Sequence, residues 1–333
     1  MVRVALLALS AYLPLMAGQL SLATPGFYLI GGYVAAVIST QNVKLDDETG
    51  YWNIHIAGLR WVSHRELYPI SAIAVEVVVA VAIAGLLGIV LGFLALRLRG
   101  IYLALATIAF NQMAAILFLH DGIFPFLVKG GLKTQGAVGI YNIPQPFNTQ
   151  GEYLRALLPL LLGAGWFVYR LEQTRTGRAL IAIREDELVA SAMGIPPTFF
   201  KVLAFTLGTV LAAVTGVLAA HVQNTWNPGL GNFELATLVL AGVVIGGSRT
   251  FVGPIVGAFL LTMLPEALRK ISDQFTGTFA QIVKDGRPFI YGALMVACCV
   301  FFPRGLVPPQ RLDRLFGRGP VAPKPKDRED GPT

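Results

Sequence analysis

Charge is what this chain has least of. Asp, Glu, Lys and Arg make up 14% of its 333 residues, against 55% hydrophobic ones. A water-soluble domain ordinarily carries about 25% charged residues, so this chain cannot clothe a solvated surface of its size. Cysteine is equally scarce. Cys298 and Cys299 sit side by side in an apolar run, and neighbours in a helix do not readily bridge, so packing is their role and no disulfide framework is implied. The usual chemical signatures are missing as well. No GxxxxGK[ST] loop is present to cradle phosphates, so ATP is not hydrolysed by this chain. The four histidines, His55, His64, His120 and His221, show no HExxH or other metal-ligand spacing, and no Gly-x-Ser-x-Gly elbow occurs. The run Asp46-Asp47-Glu48 has no partner acidic cluster at helical spacing and reads as a solvated loop. The formal charge is +7, yet basic residues are nowhere interleaved with aromatics as a nucleic-acid surface requires. No catalytic, cofactor-binding or metal-ligating residue is assigned, and an integral membrane enzyme is poorly supported.

Long apolar runs are what remains. With a mean hydropathy of +0.64, the chain reads as an all-α membrane protein, a multi-span helical bundle of about eight or nine hydrophobic segments, some broken or re-entrant. Val4 to Thr40 is almost uncharged but is interrupted by Pro14, Gly18, Pro25, Gly26, Gly31 and Gly32. That is enough length for two spans, or for one span followed by a broken helix. Gln41 to Tyr68 holds Asp46, Asp47, Glu48, Arg60, Arg65 and Glu66 and reads as a solvated loop. Spans follow from Pro69 to Leu96, from Ile101 to near Leu119, from Leu154 to near Tyr169 and from Phe205 to Ala220. Asp121 to Gly151 is a long loop, and His221 to Phe233, with Asn227-Pro228-Gly229, is a turn region. Leu235 to Gly246 is apolar and leads through a glycine-rich stretch into a span ending at Leu268. Those glycines suit a tight turn or re-entrant piece, with helix packing preferred over a direct substrate role. After the polar stretch from Ser272 to Arg287, Phe289 to Phe302 is the last span. Residues 1–306 form one transmembrane domain, and 307–333 a tail rich in Pro and charge that reads as disordered.

One stretch does not fit the lipid at all. QTRTGRALIAIREDELVASAMGIPP, Gln173 to Pro197, holds Arg175, Arg178, Arg184, Glu185, Asp186 and Glu187 between two apolar segments. At about 2.5–3.5 kcal/mol for each Arg or Asp at a bilayer centre, immersing it would cost well over ~10 kcal/mol. It therefore lies in water. Thr176 is a reasonable N-cap for a helix from Arg178 to Met193, Gly194 supplies a left-handed end, and Pro196 and Pro197 prevent continuation. At ~1.5 Å per residue such a helix is about 24 Å long and suited to lie flat. Ala179, Ala182, Ile183, Ala190 and Met193 mark one side, and Arg184, Glu185 and Glu187 a polar one.

These residues carry a resemblance. GRALIAIREDELVASAMGIPPTFFKVLAF, residues 177–205, closely resembles the cytoplasmic loop of ABC-transporter permeases of the branched-chain amino acid type, the LivM-like half. The matching positions are Gly177, Arg178, Ala179 and Leu180; Ala182, Ile183, Arg184 and Glu185; Met193, Gly194 and Ile195; and Lys201, Ala204 and Phe205. Further matches lie at Leu20, Ser21, Leu22, Phe27, Gly32 and Tyr33, at Leu96 to Ala104, at Gly246 to Ala258, at PEALRK and at Phe301 to Leu306. The chain departs from the family pattern at Ala23 and Thr24, where the family has Gly-His, at Arg249, where a Gly is usual, and near Gly130-Gly131, which is all that remains of a longer glycine motif.

The resemblance implies an ABC-importer permease in the bacterial cytoplasmic membrane, carrying branched-chain or related amino acids. It implies a coupling helix at about 177–195 that sits in a groove of an ATP-binding subunit, with Gly177, Arg178, Ala182, Arg184, Glu185, Ala190 and Gly194 as its contact residues. Its partners would be two ATP-binding subunits holding ATP and Mg, a second homologous permease and an extracytoplasmic solute-binding protein, with no cofactor on this chain. Polar residues within a span, Thr107, Asn111 and Gln112, are candidates for a translocation path, with interhelical hydrogen bonding the plainer alternative. Glu76 and Glu234 lie near the outer ends of their spans and fit an interfacial place. Arg97, Gln173 to Lys201, Arg249 and the tail from Arg304 together hold half of the 26 basic residues in less than a fifth of the chain, the direction the positive-inside rule expects if all are cytoplasmic. Counting spans back from Arg97 then puts the N-terminus outside, as expected of an atypical permease or of a start site placed too far downstream. Competing readings are a permease for urea or short amides, a stand-alone secondary carrier, which calls for a midplane ionisable pair, and a structural scaffold.

Overall fold

Without water, a chain must satisfy its own N–H and C=O groups, and helices do so within one segment. The computed structural model describes residues 1–41, 43–45, 51–56, 59–64, 68–95, 97–98, 100–120, 134–144 and 150–274, and single positions 292, 296, 300 and 306. Asp46 to Glu48, Gly130-Gly131, the cysteine pair, all but three positions of the last expected span, and the tail lie outside the described residues. Ten α-helices are described: α1 (Val2–Met16), α2 (Thr24–Gln41), α3 (Tyr68–Ala95), α4 (Ile101–Leu117), α5 (Gln150–Gln173), α6 (Arg175–Glu185), α7 (Glu187–Ala192), α8 (Pro197–Gln223), α9 (Phe233–Gly246) and α10 (Val252–Gln274). Stretches Ile73–Ala95, Gly151–Gln173, Pro197–Gln223 and Pro228–Gly246 are long and apolar enough to cross a membrane, and Val2–Met16, Ile101–Leu117 and Val252–Leu264 are shorter apolar helices. The multi-span helical bundle read from the sequence is the fold.

α8 is the central post. α3 runs antiparallel to it along its whole length, from Glu76 beside His221, through the Ala84 carbonyl accepting from Thr209 at 3.2 Å, to Gly92 against Val202. Ala80, Ala84, Gly88 and Gly92 recur every fourth residue on α3, the small-residue stripe that lets apolar helices approach closely. α1 is also antiparallel to α8. Its last turns lie beside the α5–α6 junction, through the Tyr12 hydroxyl donating to Glu172 at the end of α5 at 2.7 Å and, just past α1, Gly18 against Arg184 of α6, whereas α8 leaves from that same end, where Lys201 pairs with Glu187 at 2.7 Å. Leu6, Leu7, Ala8 and Leu9 are fully buried, as a helix apolar on every side must be.

Between α1 and α2 the backbone turns back into the bundle. Gly18 touches Arg184, but the Leu22 N–H already donates to Thr107 Oγ1 at 2.9 Å, nearly two turns along α4. α2 then runs parallel to α4, with Gly26 against Asn111 and Tyr33 stacked on Phe118, ring centroids 4.0 Å apart. Of the two expectations for Val4 to Thr40, the broken form is therefore the one found: irregular backbone at depth, buried among helices.

Two short sheets join the helices. Strands β1 (Val43–Leu45), β2 (Tyr51–Ile56) and β3 (Leu59–His64) form an antiparallel sheet with Val43 opposite Ile54 and Tyr51 opposite His64. The stretch from Gln41 to Tyr68, expected as a loop, thus carries strands. Trp52, Ile54 and Ile56 alternate with Tyr51, Asn53 and His55, a strand pattern that the charged flanks conceal. Strand β4 (Ile140–Tyr141) pairs with β5 (Thr225–Trp226), and Trp226, fully buried, donates its indole N–H to the Leu29 carbonyl at 3.1 Å.

The glycine-rich stretch is a packing seam, as preferred from the sequence. A Cβ on Gly246 would overlap the Gly253 carbonyl, and one on Gly257 would overlap the Gly242 carbonyl, so α9 and α10 meet backbone to backbone. Gly257→Leu is expected to lower stability by about 1–3 kcal/mol or more through overpacking. Thermal unfolding of the detergent-solubilised protein measures this, and an unchanged midpoint would mean that the two helices are not apposed there.

Candidate functional site

The charged stretch caps one end of the bundle, and its geometry begins with two side-chain caps. Thr174, not Thr176, opens α6, its hydroxyl accepting from the Gly177 N–H at 3.2 Å. The single helix expected from Arg178 to Met193 is broken at Asp186, whose backbone is extended (φ −155°, ψ 111°). Its carboxylate accepts from the Leu188 and Val189 N–H groups at 2.9 and 3.1 Å, so a fresh N-cap starts α7. α7 ends as expected at Gly194 (φ +83°), with the Gly194 and Ile195 N–H groups returned to Ser191 and Ala190 carbonyls.

The break changes which residues face outward. Gly177, Ala179, Leu180, Ile183 and Ala190 are buried against the bundle, and Ala182 is half-buried. Met193, expected on the packed side, is 78% exposed, and Leu188 is 79% exposed. With Ile181, Val189 and Phe199 they form an exposed apolar surface on a segment that is otherwise charged. Arg184, expected on the polar side, is half-buried: its guanidinium donates to the Ser248 carbonyl at 2.7 Å and to Ser248 Oγ at 3.4 Å, and its stem packs on Gly18. Glu185 stays exposed, 3.9 Å from the exposed Arg249, a contact of little energetic weight. Arg178 and Gly194 are exposed. Arg184 thus links α6 to the α9–α10 turn and to the break between α1 and α2.

The expected path residues divide. Thr107 and Asn111 share the face of α4 that meets α2; Thr107 Oγ1 accepts from Leu22 N–H and donates to the Ala104 carbonyl at 2.9 Å, and Asn111 is fully buried. Gln112 is exposed on another face and does not join them.

A family model described as branched-chain amino acid transport system, permease component, matches residues 2–299. The chain belongs to that family. Over 327 residues it is 29% identical to the high-affinity branched-chain amino acid transport system permease protein LivM of Salmonella typhimurium and 28% identical to that of Escherichia coli K12. Each alignment covers 89% of this chain and 65% of the relative, so the chain spans just under two thirds of their length. Over 180 residues it is 31% identical to the autoinducer 2 import system permease protein LsrC of Klebsiella pneumoniae, covering 44% of this chain and 52% of that one. No solved structure matches it.

At the end of this permease-family bundle opposite α6 lies a site that sequence reasoning missed. Glu76, read as interfacial, is fully buried, and its Oε2 lies 2.6 Å from Nε2 of His221, itself 4% exposed. His221, read as part of a turn, belongs to α8. Nδ1 of His221 lies 2.8 Å from the Pro144 carbonyl, which can only accept, so Nδ1 carries a hydrogen and one proton is shared between Nε2 and the carboxylate. The Tyr153 hydroxyl donates to the His221 carbonyl at 3.2 Å. The group ties α3, α8, α5 and the 134–144 segment together. A lone Glu in an apolar helix was the signal, since such a charge needs a partner. This pair lies about 12 Å along α3 from its start, nearer an end than the middle. Glu234, by contrast, is exposed in the first turn of α9.

Proposed function

We propose that this chain is the membrane-spanning subunit of an ATP-driven ABC importer in a bacterial cytoplasmic membrane, and that it carries branched-chain or related amino acids released by an extracytoplasmic solute-binding protein. The observation that carries the reading is the α6–α7 element: a twice-capped, charge-bearing pair of short helices at one end of an apolar bundle, with Leu188, Val189 and Met193 exposed beyond it. Such a surface suits a groove on a soluble partner, because apolar side chains on a rigid helix supply the anchors of an interface while surrounding charges keep the free surface soluble. ATP and Mg reside on two partner subunits in this reading, and a second homologous permease completes the pathway. Residues 1–306 act as the permease domain, and the element at about 177–195 is cytoplasmic. Closure of the ATP-binding pair pushes on α7, and Arg184 passes that push to the α9–α10 turn and to Gly18 at the α1–α2 break. Membership of a branched-chain amino acid permease family and the two LivM relatives favour an amino-acid cargo over urea or short amides.

Among the described residues the buried Glu76–His221 pair is what bears on a stand-alone carrier, although it lies nearer an end of α3 than the midplane position such a carrier calls for. Both readings meet in one experiment. The full chain, solubilised in mild detergent, is expected to co-purify with ATP-binding subunits from its own cells, and proteoliposomes of the assembled complex should accumulate leucine only with ATP inside. Uptake by the permease chain alone, driven by a proton gradient, would instead establish the carrier.

A further inference from the structure

Two helices of the bundle show broad apolar faces to their surroundings, and the two faces differ. On α3 the outward residues include Val78, Leu86, Val90, Phe93 and Leu94, each more than half exposed, and no exposed position from Ala74 to Leu94 carries a polar side chain. Lipid tails are as apolar as leucine, so such a face needs no other neighbour. On α4 the outward residues are Ile101, Tyr102, Leu105, Met113 and Ile116, again each more than half exposed, but Gln112 stands among them. Leu105, Ala109, Gln112 and Ile116 follow one another at helical spacing and form one exposed stripe. The Gln112 amide makes no hydrogen bond among the described residues.

Depth decides what that amide can meet. α4 starts just past Arg97 at the α6 end of the bundle, where α3 arrives with Gly92 against Val202, the neighbour of Lys201. Gln112 follows Ile101 by 11 residues, ~16 Å of helix, which sets it near the middle of an apolar core ~30 Å thick. From there the side chain is too short to reach the headgroups. Lipid tails offer an amide neither donor nor acceptor, and water at that depth needs a second protein wall to enclose it. Either way another chain segment stands opposite α4.

We propose that the outward face of α4 seats the second permease chain of the transporter, with Gln112 as its polar anchor at mid-depth. Ala109, one turn before Gln112 in the stripe, is the small residue that lets a facing helix come near. The amide carries two donors and an acceptor, so it bonds to a hydroxyl or amide on that helix. The chemistry asked of the partner is an apolar helix bearing one such side chain at the same depth, whereas the outward face of α3 stays with lipid. This inference rests on the two-permease reading and names the surface on which the pair forms.

The test uses the whole complex in its own membranes, with photoreactive benzoylphenylalanine placed in turn at Leu105, at Met113 and, as the lipid-facing control, at Leu86 of α3. Irradiation is expected to join Leu105 or Met113 to the second permease chain, identified from its peptides, in at least tenfold higher yield than Leu86. Gln112→Leu changes a side chain with no partner inside the described bundle. It should leave the thermal midpoint of the solubilised chain unchanged or higher, yet shorten the lifetime of the permease pair in mild detergent at least threefold. Gln112→Asn keeps an amide and should lose less. A pair as long-lived in Gln112→Leu as in wild type overturns the anchor. Adducts with lipid alone at Leu105 and Met113, in preparations that retain the ATP-binding subunits, overturn the assignment of this face and leave the permease reading standing. A preparation with a single permease chain and no ATP-binding subunits overturns both.

Discussion

Glu76→Ala will destabilise the solubilised protein by about 3–5 kcal/mol, the range for removing one partner of a buried ion pair. His221 would keep its bond to the Pro144 carbonyl but lose the carboxylate facing Nε2, in a site only 4% exposed where water is not at hand to replace it. Against a total stability of about 5–15 kcal/mol this is a fifth or more of what holds the fold together. Glu76→Gln keeps an acceptor opposite Nε2 and should lose less. The double variant Glu76→Leu with His221→Phe should lie closer to wild type than either single substitution at those positions, because no buried charge is then left alone. Unfolding half-lives at fixed temperature are the appropriate measure where heating is irreversible. Single variants as long-lived as wild type would mean that α3 and α8 are not joined at this end.

Leu188→Glu with Met193→Glu, and separately Gly194→Val, should leave the protein in the membrane at near-normal stability but cut ATP-driven uptake by at least tenfold, about 1.4 kcal/mol or more of coupling. The first variant places charge on the exposed apolar surface of α7 and its end without touching anything inside the bundle. In the second, a Cβ at Gly194 would meet nothing within 4 Å, so the strain arises from the left-handed backbone alone (φ +83°), about 1–2 kcal/mol. ATP hydrolysis by the assembled complex should persist while leucine accumulation falls. Uptake that remains coupled in both variants would remove α7 from the transmission route. Charge reversal at Arg184 with Glu185 is a poorer probe than the sequence suggests, because it would set a carboxylate against the Ser248 carbonyl and disturb packing as well as coupling.

Several spans were legible in the sequence to within a few residues, although α8 begins at Pro197, eight residues before the expected Phe205. Pro69 to Leu96 became Tyr68–Ala95, Leu235 to Gly246 became Phe233–Gly246, and Gly194 ended its helix in the left-handed conformation expected of it. The candidate site was only partly legible. Thr107 and Asn111 share a face, as their four-residue spacing requires, but nothing in that spacing showed that Gly26 would close on the amide or that Gln112 would stand apart. Asp186 carried a local signal for a second cap that was read as surface charge. Tyr51 to His64 carried a strand alternation that was read as loop.

Transfer from water to lipid acts residue by residue, so the chain alone determined which segments are apolar, where they stop, and that Gln173 to Pro197 stays in water. The three-dimensional fold decided the pairings between segments: Glu76 with a histidine 145 residues away, Arg184 with Ser248 64 residues away, and Leu22 with Thr107 85 residues away. A buried polar group must find a partner, but which partner it finds depends on which helices lie side by side and in which direction they run. That is a property of shape, and close packing of small residues along α3, α8 and the α9–α10 seam is what settles it.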